Sequence, residues 1–252
     1  MAQDGDQPQG EAQAKPRRIW DVPVRIFHWL LVLSIAASWA TAEVVGDEYI
    51  GGVSWMQVHM WLGYWTAGLI AFRIIWGIIG SRHARFWSFL KGPMTTVRYG
   101  ASLFGGHREA PGHNPMGAWM VIAMLALVGW QVATGLFAND DIVWSGPWAH
   151  TVSDDFQSRF TNWHRFNFNL ILAAIGVHVL AIATYQFGLR KDLVGPMFTG
   201  RKAADRVAVS DAISGTPWLR AVLAIVLAGA FAYGVVALAP EPPPSEYEDY
   251  GY

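Results

Sequence analysis

The chain has 252 residues, of which 53% are hydrophobic and only 15% charged, and its mean hydropathy is +0.24. Soluble domains carry about a quarter charged residues, so this composition excludes an ordinary water-soluble protein. With no cysteine it also excludes a disulfide framework, thiolate-ligated zinc or iron–sulfur sites, a thiol nucleophile and covalent attachment of a c-type haem.

In chain order, residues 1–18 are polar and read as a disordered arm. Five apolar runs follow, at Ile26–Ala42, Val53–Ile79, Met116–Ala138, Phe166–Phe187 and Trp218–Leu238. Each approaches or exceeds the roughly 20 residues that cross about 30 Å of hydrocarbon, and each must be a helix because lipid offers the backbone no hydrogen-bond partner. The first run is short enough to be the core of a signal peptide, but no cleavage site leads from it into a soluble domain. The expected fold is an all-α membrane protein. Its parts are a four-helix core over residues 19–202, a linker over 203–217, a fifth membrane helix over 218–238 and an acidic tail over 239–252. Between the second and third spans, FWSFLKGPMTTVRYGASLF reads either as a helix lying flat in the headgroup layer or as a plain loop.

Lys and Arg collect in the N-terminal arm and in the second-to-third and fourth-to-fifth connections. The opposite connections hold Glu43, Asp47, Glu48, Asp140, Asp141, Asp154 and Asp155 against Arg159 and Arg165. Since basic loops stay in the cytoplasm, the N-terminus is expected inside a bacterial inner membrane and the C-terminus in the periplasm.

Four of the eight histidines fall within these spans or at their mouths: His28, His59, His164 and His178. Ionisable groups inside a membrane are costly and signal function. His164 and His178 are fourteen residues apart, which puts them within about 40° of one helix face and about 21 Å apart along the axis. With the expected topology, His28 matches His178 in depth on the cytoplasmic side, and His59 matches His164 on the periplasmic side. Zinc wants about four ligands at one point, whereas two histidine pairs at two depths suit two bis-imidazole haem b groups. Gly63, Gly68, Gly129, Gly135 and Gly176 are candidates for admitting a flat porphyrin, or simply for close helix packing.

The stretches WDVPVRIFHWLL, HMWLGYWTAGLIAFRIIWGIIGS, FLKGPMTTVRY, GHNPMGAWM, NWHRFNFNLILAAIGVHVLAIATYQF and KDLVGPMFTGRK resemble the bacterial cytochrome b561 and nickel–iron hydrogenase b-type cytochrome family. The resemblance covers roughly residues 19 to 202. It implies a dihaem four-helix bundle that exchanges electrons with quinone and a redox partner, and it carries the ligand positions onto His28, His59, His164 and His178. The fifth helix and the tail lie outside it.

Arg25, Arg73 and Arg165 are placed to meet haem propionates, although Arg73 is expected to snorkel. His113 and Asn114, in GHNPMG, are candidates for a quinone site; Asn114 before Pro115 also reads as a helix cap. The acidic outer loop Asn139–Asn162 suits either a lid over the outer haem or a landing patch for a basic cytochrome c. No nucleic-acid partner is expected. Besides electron transfer between quinone and a periplasmic c-type cytochrome or oxidoreductase subunit, two functions stay open. One is a free-standing quinone oxidoreductase acting on a small species such as superoxide; the other is a non-redox transporter or assembly protein.

Overall fold

The computed structural model describes residues 15–44, 49–50, 52–102, 110–141 and 143–241. Most of the N-terminal arm, Asp47, Glu48, His107, Arg108 and the tail beyond 241 lie outside the described residues. A two-residue strand β1 (Arg17–Arg18) precedes the first long helix, α1 (Val22–Trp39), which ends in a π-helical turn at Ala40–Val44. The helix starts four residues before the apolar run because Asp21 caps it: its Oδ1 accepts the Val24 N–H at 2.8 Å, and Pro23 occupies the first turn. A short hairpin, β2 (Tyr49–Ile50) with β3 (Val53–Ser54), leads into α2 (Trp55–Ile79), capped by the Ser54 hydroxyl.

The connection after α2 is helical. It forms α3 (Phe86–Phe89) and α4 (Pro93–Ala101), with Trp87, Met94 and Val97 exposed. The connection is therefore helical rather than a plain loop, with exposed apolar side chains beside Lys91 and Arg98. Next comes α5 (Pro115–Phe137), capped by Asn114, whose Oδ1 accepts the Gly117 N–H at 2.7 Å.

A 3-10 turn at Ala149–Thr151 precedes α6 (Asp154–Ala183), a 30-residue helix extended by a π-helical turn at Thr184–Gly188. The apolar pattern alone starts this span at Phe166, but helical structure begins twelve residues earlier. Asp154 and Asp155 in its first turn favour the helix N-terminus, so the outer connection is the shorter stretch 138–153. The chain then forms α7 (Val194–Thr199), β4 (Arg201–Lys202), a 3-10 turn at Val209–Asp211 and α8 (Trp218–Ala237).

Five helical segments, Val22–Ala42, Trp55–Ile79, Pro115–Phe137, Asp154–Gly188 and Trp218–Ala237, are long and apolar enough to cross a membrane. Leu33, Leu180, Phe187, Leu219 and Phe231 face outward, as lipid-facing residues do. Helix α2 is central: it packs against α1, α5 and α8, while α5 packs against α6. On α8 the side facing α2 is small, with Ala221, Ala224 and Ala228 all buried, and a Cβ on Gly68 would stand 3.2 Å from that of Ala232. Close approach of this kind is what small residues permit in lipid. Hydrogen bonds fasten both ends of α8: Arg220 donates to the Ile79 carbonyl at 3.3 Å, and Trp148 Nε1 donates to the Val235 carbonyl at 2.8 Å.

The basic end is tied together by β1 pairing antiparallel with β4, Arg17 opposite Lys202 and Arg18 opposite Arg201. Order therefore reaches back into the expected arm. The segment 203–217 is likewise packed, with Val207 buried and Ile213 N–H bonded to the Arg18 carbonyl at 2.9 Å.

Candidate functional site

Four helices meet around two imidazoles. His59 on α2 and His164 on α6 have ring centroids 6.2 Å apart and ring planes at 79°. His59 Nδ1 lies 2.9 Å from the Ser38 carbonyl of α1, and His164 Nδ1 lies 3.0 Å from the Gln131 carbonyl of α5. A carbonyl oxygen only accepts, so both Nδ1 atoms carry the proton and both Nε2 atoms keep a lone pair. This is the arrangement that orients a metal-binding histidine. Fully buried Thr134 donates its own hydroxyl to the Trp130 carbonyl at 2.8 Å, and its Oγ1 is a second acceptor 3.3 Å from His164 Nδ1.

A further layer holds His164 from behind. Gln131 Nε2 donates to the His164 carbonyl at 3.0 Å. Buried Asn167 donates through Nδ2 to Gln131 Oε1 at 2.7 Å and to the Leu127 carbonyl at 2.9 Å. None of these partners stands out in the sequence. Their only signal is polarity within apolar runs, Gln131 and Thr134 one turn apart on α5 and Asn167 one turn after His164.

The two rings open on a cavity of about 670 Å³, lined also by Ile35, Gly63, Gly135, Trp144, Arg165 and Phe168. That volume is in the range of cofactor pockets. A Cβ on Gly63 would meet nothing within 4 Å, and one on Gly135 would stand 3.0 Å from His164 Cε1. Glycine thus leaves open space on one wall and admits the imidazole on another. Two imidazoles binding one metal from opposite sides, at about 2.0 Å per bond, have centroids about 6 Å apart. Among the described residues no three His, Asp or Glu side chains converge as a metal-ion cluster. The donor set, the tautomers and the cavity fit a haem with two histidine ligands.

His28 on α1 lies within electrostatic reach of His178 on α6, as His164 does of His59. The His28 ring stands edge-on to Trp29 at 5.0 Å, and its buried Nδ1 has no hydrogen-bond partner among the described residues. The structure therefore sets His59 against His164, while His28 lies within electrostatic reach of His178, so that α6 presents a partner to each of the other two histidines.

The remaining candidates divide. Arg165 is exposed and lines the outer cavity. Arg25 is engaged elsewhere, one guanidinium nitrogen donating to the Phe198 carbonyl, although its Nε is buried and unpartnered. Arg73 does not snorkel. It is 3% exposed, its guanidinium lies 4.7 Å from the centre of the Phe86 ring, and Asp21 is within electrostatic reach. The reason is local, because α2 turns this face toward the capped start of α1, where Asp21 also accepts from Trp76 Nε1 at 3.1 Å.

His113 packs between Trp20 and Phe89, at 4.7 and 4.5 Å between ring centres, with Nδ1 unpartnered. Burial, aided by the charges of Arg73, His83 and Lys202, pushes its pKa down to about 3. Burial also lowers that of His83, against the opposing effect of its contact with the Asp211 carbonyl. Asn114 serves as the α5 cap, and the Tyr185 hydroxyl is 3.3 Å from that of Tyr99.

Comparison with known proteins bears on this geometry. The family description of prokaryotic cytochrome b561 matches residues 19–200. The chain is 22% identical over 210 residues to a probable Ni/Fe-hydrogenase B-type cytochrome subunit of Bradyrhizobium diazoefficiens, covering 73% of this chain and 85% of that protein. It is 27% identical over 207 residues to the probable Ni/Fe-hydrogenase 1 B-type cytochrome subunit of Escherichia coli, covering 70% and 83%. A similarly named subunit of Azotobacter chroococcum is 23% identical over 229 residues, covering 76% and 92%. No solved structure matches. With its helical membrane architecture and a match spanning most of its length, the chain belongs to the prokaryotic cytochrome b561 family of electron-transferring membrane b-type cytochromes.

Proposed function

We propose that this cytochrome holds two haems b and carries electrons through the membrane between quinone and a redox partner at the periplasmic face. The observation that carries the reading is the His59–His164 pair, 6.2 Å apart, with both Nδ1 atoms committed to carbonyls. His59 and His164 would hold the periplasmic haem, and His28 and His178 the cytoplasmic one. Bound haem b supplies a one-electron iron couple, and two histidine ligands leave no open position for oxygen.

The chain's own residues do the rest. The Ser38 and Gln131 carbonyls keep the ligand nitrogens unprotonated, Gly63 and Gly135 leave room for a flat ring, and the outer loop limits water. Exposed Arg165 is suited to a propionate by a charge-assisted contact; Arg25, with one free buried nitrogen, is suited to the same task at the other end. His113 and Asn114 remain candidates for quinone.

The concentration of Lys and Arg around β1, α4 and β4 supports that end as cytoplasmic. The partner is a c-type cytochrome or an oxidoreductase subunit; the names of the relatives favour a hydrogenase.

Proteoliposomes with trapped ferricyanide and an impermeant reductant outside test the relay. Wild-type protein should reduce the trapped oxidant, and His28→Ala or His59→Ala should abolish transfer. Wild-type transfer no faster than that of empty vesicles would contradict the reading.

A further inference from the structure

Three arginines that the electron path does not use gather where α2 ends and α8 begins. A cleft of about 440 Å³ opens there, lined by the turn after α2 and the stretch before α8, including Ser81, Arg82, Arg85, Ser214, Thr216 and Arg220. Three arginines and no carboxylate line it. Arg82 is offset by Asp211 at 3.3 Å, and Arg220 commits one nitrogen to the Ile79 carbonyl. Among the described residues no carboxylate pairs with Arg85 or Arg220.

Among the described residues, two donors here lack acceptors. Ser81 is 8% exposed and its Oγ has no partner; Arg85 Nε is buried and also has none, while its guanidinium lies 5.6 Å from the centre of the Trp87 ring. Buried donors left unpaired cost stability, and an anion with several oxygens would satisfy both. Guanidinium groups match phosphate in geometry and charge.

The place narrows the class of ligand. The cleft is at the end of two membrane helices, beside exposed Ile78 and Leu219 and at the level of exposed Trp87 and Trp218. Tryptophan marks the headgroup layer, and basic pockets between membrane helices at the cytoplasmic face bind anionic headgroups. Seven of the eleven residues that line the cleft come from 212–220, outside the stretch matched by the family.

We propose that this cleft binds the phosphate of an anionic phospholipid. Arg85 and Arg220 clamp the phosphate, Ser81 donates to it, and the acyl chains lie along Ile78 and Leu219. The lipid bridges α2 and α8.

Thermal unfolding of the detergent-purified full chain tests this, titrated separately with dioleoyl phosphatidylglycerol, dioleoyl phosphatidylcholine and inorganic phosphate. Phosphatidylglycerol should raise the midpoint saturably and phosphatidylcholine should not. The double variant R85Q/R220Q, with its haem spectrum unchanged, should bind phosphatidylglycerol on the order of tenfold more weakly. S81A should weaken binding less, and K91Q not at all. Should the double variant fail to assemble, R85Q alone carries the test. Equal responses to the two lipids, or arginine variants that titrate like wild type, would overturn the proposal. A shift produced by inorganic phosphate but not by lipid would assign the cleft to a soluble phosphate and overturn it too.

Discussion

His59 and His164 face each other at 6.2 Å, and each is anchored through Nδ1 to a carbonyl of a different neighbouring helix. Ring orientation at this level is thus set by α1, α2, α5 and α6 together, and a change in any of the four should be felt at the pair.

The glycines around the cavity separate packing from cofactor binding. A side chain at Gly63 meets no protein atom within 4 Å, so Gly63→Leu should leave helicity and thermal midpoint close to wild type without cofactor. It should nevertheless remove half of the bound haem by filling the cavity. Gly135→Val acts differently, pushing His164 out of position, and should lower both haem content and stability. Full haem content in Gly63→Leu, measured by pyridine haemochrome, would mean that the cavity is not the haem's.

Asn167 and Gln131 form one buried unit with His164. Asn167→Leu leaves Gln131 Oε1 without its donor and should cost about 1–3 kcal/mol. Replacing both residues by Leu should cost less than the sum of the single changes, because neither partner is then orphaned. Thermal unfolding gives the coupling energy, and a redox titration should show the midpoint of only one haem moving. Additive costs with both potentials unchanged would count against the linkage.

His113 predicts a pH dependence outside the haem sites. Burial holds its pKa at about 3 in the folded chain, against 6.5 for the exposed group. Between those values the unfolded chain takes up a proton that the folded chain refuses, so stability is full above about pH 6.5 and falls as pH drops toward 3. His113→Phe keeps a ring between Trp20 and Phe89 and removes the titration. Its thermal midpoint should fall less than wild type's between pH 7.5 and 4.5, with His83 supplying a residual slope. Parallel slopes would refute the assignment.

Asp21 holds three roles, counter-charge to buried Arg73, cap of α1 and acceptor for Trp76 Nε1. Asp21→Ala should destabilise by about 3–5 kcal/mol, the cost of a buried charge left alone. Asp21→Asn, which keeps a capping oxygen, should be milder by about 1 kcal/mol. Equal losses in unfolding measurements would show that the cap contributes nothing.

The membrane helices were legible because lipid allows the backbone no other answer, and ionisable His28, His59 and His178 stood out in runs whose only charged residues are Arg73 and Arg220, with His164 at the mouth of the fourth run. Helix starts were harder. The first three turns of α6, DDFQSRFTNWH, are too polar to join an apolar run, and only the acidic first turn announced them. The fate of Arg73 depended on the rotation of α2, which packing against α1 decides and no local pattern reveals. Ser38, Gln131 and Asn167 were silent for the same reason, since each acquires its role from a residue brought near by tertiary structure.

Haem content per chain in the histidine variants is the most direct measurement. Wild-type protein should hold two haems. His59→Ala, His164→Ala and the double variant should each retain one, with the same residual reduced spectrum, and His28→Ala and His178→Ala should both retain the other. A double variant His59→Ala/His164→Ala devoid of haem, with each single variant keeping one, would contradict it, because the two histidines would then serve different haems.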